Sequence, residues 1–364
     1  MDAPWCYAPA AGGPGPRRPG TAGRNRMSAR RRQATMEEEV TTHTRVYVDG
    51  KVVAEDFPIA DVSDWCARDG ASIWLDMLDP TAEELDQLGE ELGLHSLAIE
   101  DAVHAHERPK LDRYPSHLLF NAYSVSSEQG SGVLEAHEIT AFILPNVLAT
   151  VHRGPEFDMA DVVARWDNSP DLAVFGVGYL FYGLIDFIVD SYYTALQSFD
   201  DIVDALSDEI FELTGTEADA ALRRTFDLRR SLLTARRVIT PMREVVNTMM
   251  RRDLHILSPE LLPYYQDVYD HALRSAEMTD TLRDMIGTIR ETHLALQGNR
   301  MNLIMKKVTS WAAIIAVPTA VTGFYGQNVP YPGFGTHIGF WASVVIMVVV
   351  SGLLYTAFRR RDWL

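Results

Sequence analysis

Residues 308–328 read VTSWAAIIAVPTAVTGFYGQN, and residues 338–358 read IGFWASVVIMVVVSGLLYTAF. The first holds an 18-residue stretch without a charge (308–325), and the second is uncharged over all 21 residues. At about 1.5 Å of helical rise per residue, each is long enough to cross a hydrocarbon layer about 30 Å thick. Arg300, Lys306 and Lys307 precede the first span, and Arg359, Arg360 and Arg361 follow the second. The positive-inside rule therefore places both flanks on the cytoplasmic side. Residues 326–337, with Pro330, Pro332, Gly333 and Gly335, must form a tight external loop. The alternative, two buried helices of a soluble core, rarely leaves two whole helices free of charge.

Upstream of the first span, no proline occurs between Pro263 and Pro318, so 264–325 reads as one long stalk running into the membrane. Every third or fourth residue gives Glu277, Thr281, Asp284, Thr288, Glu291, Ala295, Gly298, Asn302, Met305, Thr309, Ala312, Ala316, Thr319, Gly323 and Gly326. This is a sustained 3.5-residue period in which only Met305 is bulky and apolar. Small residues in such a stripe allow close helix packing in lipid, which accounts for Ala312, Ala316, Gly323 and Gly326. That account fails for Glu277, Asp284 and Glu291, because carboxylates packed face to face repel. Around a wet axis shared by several copies they would form rings that attract cations. Asn302, Thr319 and Asn328 would add rings of neutral oxygen, suited to an ion that keeps its water, as Mg²⁺ does. A ring of Met305 would serve as an apolar gate.

The rest of the chain reads as a mixed α/β domain over 36–263. Runs 44–48, 72–75, 118–125, 138–144 and 147–152 are β-prone, and 81–92 is a helix opened by a capping box of Thr81 and Glu84. Apolar periodicity over 179–213 and 218–239, with Gly215 between, marks a helical hairpin. Its tip carries Asp200, Asp201, Asp204, Asp208, Glu209, Glu212, Glu217 and Asp219, either a solvated face or a cation-attracting one.

The full chain of 364 residues has a formal charge of −17 and is 47% apolar, which excludes wholesale disorder. Residues 1–35 hold seven arginines and one acid, Asp2, without a continuous apolar run. They read as a disordered extension or a start assigned too early, given Met27 and Met36, with an organelle transit peptide as the alternative. Cys6 and Cys66 share no disulfide or metal spacing. No phosphate-binding glycine loop or nucleophile elbow is present, so neither an enzyme nor an ATP-driven pump is expected, and no organic cofactor or nucleic-acid partner. His104 and His106 form an HxH pair that suggests zinc, but a structural or exposed role suits them better.

Tyr325-Gly326-Gln327-Asn328, placed just after the first of two C-terminal spans, resembles the Gly-Met-Asn signature of CorA-type divalent cation channels in its broader Gly-x-Asn form. Trp74-Leu75-Asp76, Asp79-Pro80-Thr81, Leu94-His95 to Glu100-Asp101, Arg108-Pro109-Lys110, Asp267-Val268-Tyr269-Asp270-His271 and Asn302 with Met305-Lys306 are similar to that family too, so the resemblance runs from about residue 45 to the end. It implies a homopentameric funnel with an α/β/α cytoplasmic sandwich, a stalk helix and two membrane helices, at 308–325 and 338–358, with a basic tail at 359–364. It implies passive uptake of Mg²⁺, with Co²⁺ or Ni²⁺, across the inner membrane of a cell, or of a mitochondrion. Gly326, Gln327 and Asn328 then match the selectivity filter. Glu291, Asn302, Met305, Thr309, Ala312, Ala316 and Thr319 line the pore, and Asp101 and Asp267, with Glu100, resemble regulatory Mg²⁺ ligands between subunits. Gln327 in place of methionine, Ala316 in place of a bulky gate and a loop without acids depart from the pattern. These departures keep open a proton-coupled Zn²⁺ transporter of the same superfamily, and a non-conducting sensor or scaffold is the third reading.

Overall fold

The computed structural model describes residues 42–104, 108–128, 130–154, 157–211, 215–251 and 258–364. The expected extension at 1–35, His106 and Glu212 lie outside these. Among the described residues seven strands form one sheet: β1 (Thr42–Val48), β2 (Lys51–Glu55), β3 (Ala71–Leu78), β4 (Lys110–Arg113), β5 (Leu118–Ser127), β6 (Leu134–Ile143) and β7 (Val147–His152). Their order is β2-β1-β3-β7-β6-β5-β4, with β3 and β7 parallel and the other pairings antiparallel.

The five expected strands all form, and β2 and β4 are added at the two edges. β2 is the return arm of a hairpin turned by Asp49 and Gly50, both at positive φ (49° and 74°), the pairing that a two-residue turn between twisted strands requires. Side chains alternate across the sheet with period two. Ile73, Leu75 and Met77 of β3 point to one face, where α1 (Val62–Cys66), α2 (Ala82–Leu92) and α3 (Ser96–Val103) cover them. Phe120 and Ala122 of β5 and Ile139 and Ala141 of β6 point to the other. There they meet α4 (Met159–Asp167), the short α5 (Pro170–Ala173) and the long hairpin of α6 (Val177–Glu209) and α7 (Thr216–Met249). Helices on both faces of the sheet make the α/β/α sandwich.

Local chemistry sets the helix ends. Thr81 Oγ1 accepts from the Glu84 amide at 3.3 Å and Glu84 Oε2 accepts from the Thr81 amide at 2.8 Å, so the capping box forms as the sequence predicts, and Gly93 closes α2 at φ 63°. Both long helices carry prolines. α7 continues through Pro241 to Met249, and α8 runs for 64 residues, Leu262–Tyr325, with Pro263 in its first turn and Pro318 inside it. At its first turn a proline lacks only an N–H that would be unpaired in any case, whereas inside a helix it removes one bond from a ladder that long flanks can hold. α8 is thus about 95 Å long. α9 (His337–Arg360) folds back along its end.

Candidate functional site: one face of a long helix

The lower part of α8 packs on α6 and α7, burying Tyr265, Val268, Ala272, Thr279, Leu282, Ile286 and Ile289. Glu277, Asp284 and Glu291 fall on the exposed side of the same turns. Asp284 is held by Arg283 at 3.1 Å. Further up, α9 covers a different strip, in which Ser310 is fully buried and Ile314, Val317 and Val321 are half-buried. At 100° per residue, the stripe from Asn302 to Gly323 lies roughly 150° around the helix from that strip. The chain's own second span therefore leaves it uncovered. All ten positions expected to line a pore or filter, Glu291, Asn302, Met305, Thr309, Ala312, Ala316, Thr319, Gly326, Gln327 and Asn328, are exposed. The most apolar 18-residue window of each candidate span is only 6% buried, which is incompatible with the core helices of a soluble protein.

The hydroxyl of Thr319 donates to the Ile315 carbonyl at 3.0 Å, so what Thr319 presents outward is a pair of oxygen lone pairs. Beyond it α8 stops at Gly326, whose amide donates to Thr322 O at 2.8 Å. A β-carbon at Gly326 would sit 2.8 Å from that same oxygen, a distance side chains do not tolerate. Gln327 and Asn328 follow on the exposed turn. Tyr331 ties the loop back through its hydroxyl to Tyr325 O at 2.9 Å, and the rings of Phe324, Tyr325, Tyr331 and Phe334 pack against one another at 5.1–5.8 Å.

The three residues expected to hold regulatory metal sit in two different layers. Glu100 and Asp101 are on α3, on the far side of the sheet, where Lys110 bridges Asp101 at 2.6 Å and Asp112 at 2.9 Å. Asp267 is on α8, exposed, 3.9 Å from His271 Nε2. His271 leads to a cluster that sequence reading missed. Its ring, with Asp186 and Asp190 of α6, offers three potential ligand atoms all within 4.8 Å of one another. Arg165 of α4 bridges the two carboxylates at 2.7 and 2.8 Å. Burial, and then the neighbouring Asp190, push the Asp186 carboxyl up, against the opposing pull of Arg165 and His271. The spacing of four between two acids in an otherwise apolar helix was the available signal. His104 closes α3, its ring 2.8 Å from the Glu100 carbonyl, in keeping with a structural role.

A layered soluble domain joined by one unbroken helix to two exposed apolar helices, with an uncovered polar stripe on the first, defines the class of a membrane-seated protein with a large soluble domain. The family model for CorA-like Mg²⁺ transporter proteins matches residues 69–360. The cobalt/magnesium transport protein CorA of Thermotoga maritima is 29% identical over 283 residues, covering 77% of this chain and 80% of that protein. Its namesake from Methanocaldococcus jannaschii is 26% identical over 295 residues, covering 80% and 91%. The complete structure of the CorA magnesium transporter from M. jannaschii superposes with a TM-score of 0.71 at 24% identity, over 90% of this chain and all of that one. The chain belongs to the CorA-like family and is a divalent-cation transporter.

Proposed function

We propose that copies of this chain, five by resemblance, assemble around the stripe of α8 to form a passive channel for hydrated Mg²⁺, with Co²⁺ as a second substrate. The observation that carries the reading is that α9 and the stripe occupy nearly opposite sides of α8, so the stripe needs an aqueous axis or another copy beside it. Gly326, Gln327 and Asn328 form the outer mouth, and the amide oxygen of Asn328 hydrogen-bonds the ion's water shell. Thr319 and Asn302 supply further oxygen rings, with the small Thr309, Ala312 and Ala316 leaving width for the shell. Met305 closes the lower end, and Glu291, Asp284 and Glu277 concentrate cations below it. The arginines after α9 hold both termini in the cytoplasm of a cell membrane.

Asp101 of one copy and Asp267 of the next, with Glu100, then bind intracellular Mg²⁺ and hold the channel closed. Their positions in opposite layers suit a site shared between copies, and carboxylate oxygens suit the ion. Carboxylates that must be neutralised to sit together supply the differential affinity that shifts the gate.

Ion flux into proteoliposomes tests the conduit. Asn328→Ala should abolish Mg²⁺ flux with the oligomer intact on gel filtration, and unchanged flux would reject the filter. A requirement for a proton gradient together with a preference for Zn²⁺ would replace the channel by a coupled zinc transporter. Asp101→Asn combined with Asp267→Asn should weaken Mg²⁺ protection against proteolysis without removing flux, and undiminished protection would refute the regulatory site.

A further inference from the structure

The end of α9 fixes the residues that follow it. The Asp362 amide donates to the Arg359 carbonyl at 3.3 Å and the Trp363 amide to the Phe358 carbonyl at 3.0 Å, while Asp362 takes a left-handed φ of 55°. The Trp363 indole lies nearly parallel to the Phe358 ring, with 8° between planes and 5.7 Å between centroids. The two backbone bonds, the left-handed residue and the apolar contact together make a complete Schellman closure. Glycine usually holds the left-handed position, and among side chains aspartate is one of the few that visit it routinely. Trp363 is therefore seated rather than trailing in solvent.

The seat matters because of what it faces. Half-buried Trp363 forms one wall of a cleft of about 630 Å³, and α8 supplies the others through Asn299, Asn302, Leu303, Met305, Lys306 and Thr309. At 100° per residue these six centre on the flank of α8 between the stripe and the strip that α9 covers. Trp363 thus stands beside the stripe without covering it, on the same cleft as the one bulky apolar member of the stripe. That member, Met305, is 56% exposed. Its unbranched side chain has three rotatable bonds, and a thioether makes a favourable contact with an aromatic ring. A methionine that leaves a wet axis needs an apolar surface to meet, and the indole offers one.

We propose that this cleft receives the Met305 side chain when the channel opens, with Trp363 as the positioning residue that holds it off the axis. The inference rests on the reading of Met305 as the lower gate and adds to it the place into which the gate retreats.

Mg²⁺ currents through the full chain in membrane patches test it, recorded with the cytoplasmic side free of Mg²⁺ and then saturated with it. Trp363→Ala removes the ring, and Asp362→Val unseats it, because a β-branched residue does not accept a left-handed φ. Each should lower the Mg²⁺-free current about threefold or more, whereas Trp363→Phe keeps a ring, Asp362→Gly keeps the closure, and both should keep the current. Met305→Ala leaves no side chain to be received. It should pass current even under saturating Mg²⁺, and adding Trp363→Ala to it should change nothing further. An unchanged Mg²⁺-free current in Trp363→Ala, or a fall of the same size where Met305 is already alanine, would overturn the proposal and leave the gate standing. A Met305→Ala channel that still closes under Mg²⁺ would remove the gate, and this inference with it.

Discussion

Asp76→Asn is expected to destabilise the soluble domain far more at acidic than at alkaline pH. In the native chain burial pulls the His152 imidazole down, but the hydrogen bond and charge of Asp76, helped by Asp79, more than reverse this and leave its pKa above the ordinary value. A histidine whose folded pKa is raised contributes stability that is fully present below its unfolded pKa of about 6.5 and is lost as pH rises through the folded value. In the variant, burial dominates and the His152 pKa falls below the ordinary value. Protons then favour the unfolded chain, and stability drops as pH falls below about 6.5. At pH 9 the hydrogen bond from the uncharged imidazole to the carboxylate is exchanged for a weaker one to an amide, costing about 1 kcal/mol. At pH 5.5 a buried charge-assisted bond is gone and an imidazolium has lost its partner, costing about 3 kcal/mol. Urea unfolding followed by tryptophan fluorescence reads the transition directly, since Trp74 donates to Thr150 of this network and stacks edge-on to Trp166 at 5.1 Å. An equal deficit at the two pH values, or a larger one at pH 9, would refute the reasoning.

Arg165→Met leaves Asp186, Asp190 and His271 without their bridging cation. Because Arg165 and Asp190 are well over a third exposed, the expected loss is only about 1 kcal/mol. Millimolar Co²⁺ should recover it and give a visible d–d absorption from the new carboxylate and imidazole ligands, and a silent spectrum would show that three ligands at this spacing are not enough. Thr81→Ala should cost about 1 kcal/mol through loss of the cap, measured as faster amide exchange confined to Ala82–Leu92.

The two missed strands and the missed acid cluster failed for different reasons. β2 and β4 lie at sheet edges, where Lys51, Val52, Val53 and Glu55 are exposed and no buried face imposes alternation. The Asp49-Gly50 dipeptide announced the hairpin, and it outweighs a weak strand pattern. Asp186, Asp190, Arg165 and His271 come from three helices, α4, α6 and α8, and no spacing along the chain brings them together. Pro318 lies inside the segment that the sequence already reads as one helix, and its local penalty of a few kcal/mol is outweighed by packing along a helix of 64 residues.

By itself, the sequence determined what depends on near neighbours: two uncharged spans, the 3.5-residue stripe, the capping box at Thr81 and the alternation of the central strands. Helical rise and side-chain period are properties of the backbone, and they map residue number directly onto a face. Only the tertiary structure decided which face of α8 its companion span covers, that Glu100 and Asp101 lie across the sheet from Asp267, and that Asp76 of β3 meets His152 of β7 in a buried pair. Those are long-range contacts, set by how layers stack around one core, and layer order is not written in any local period.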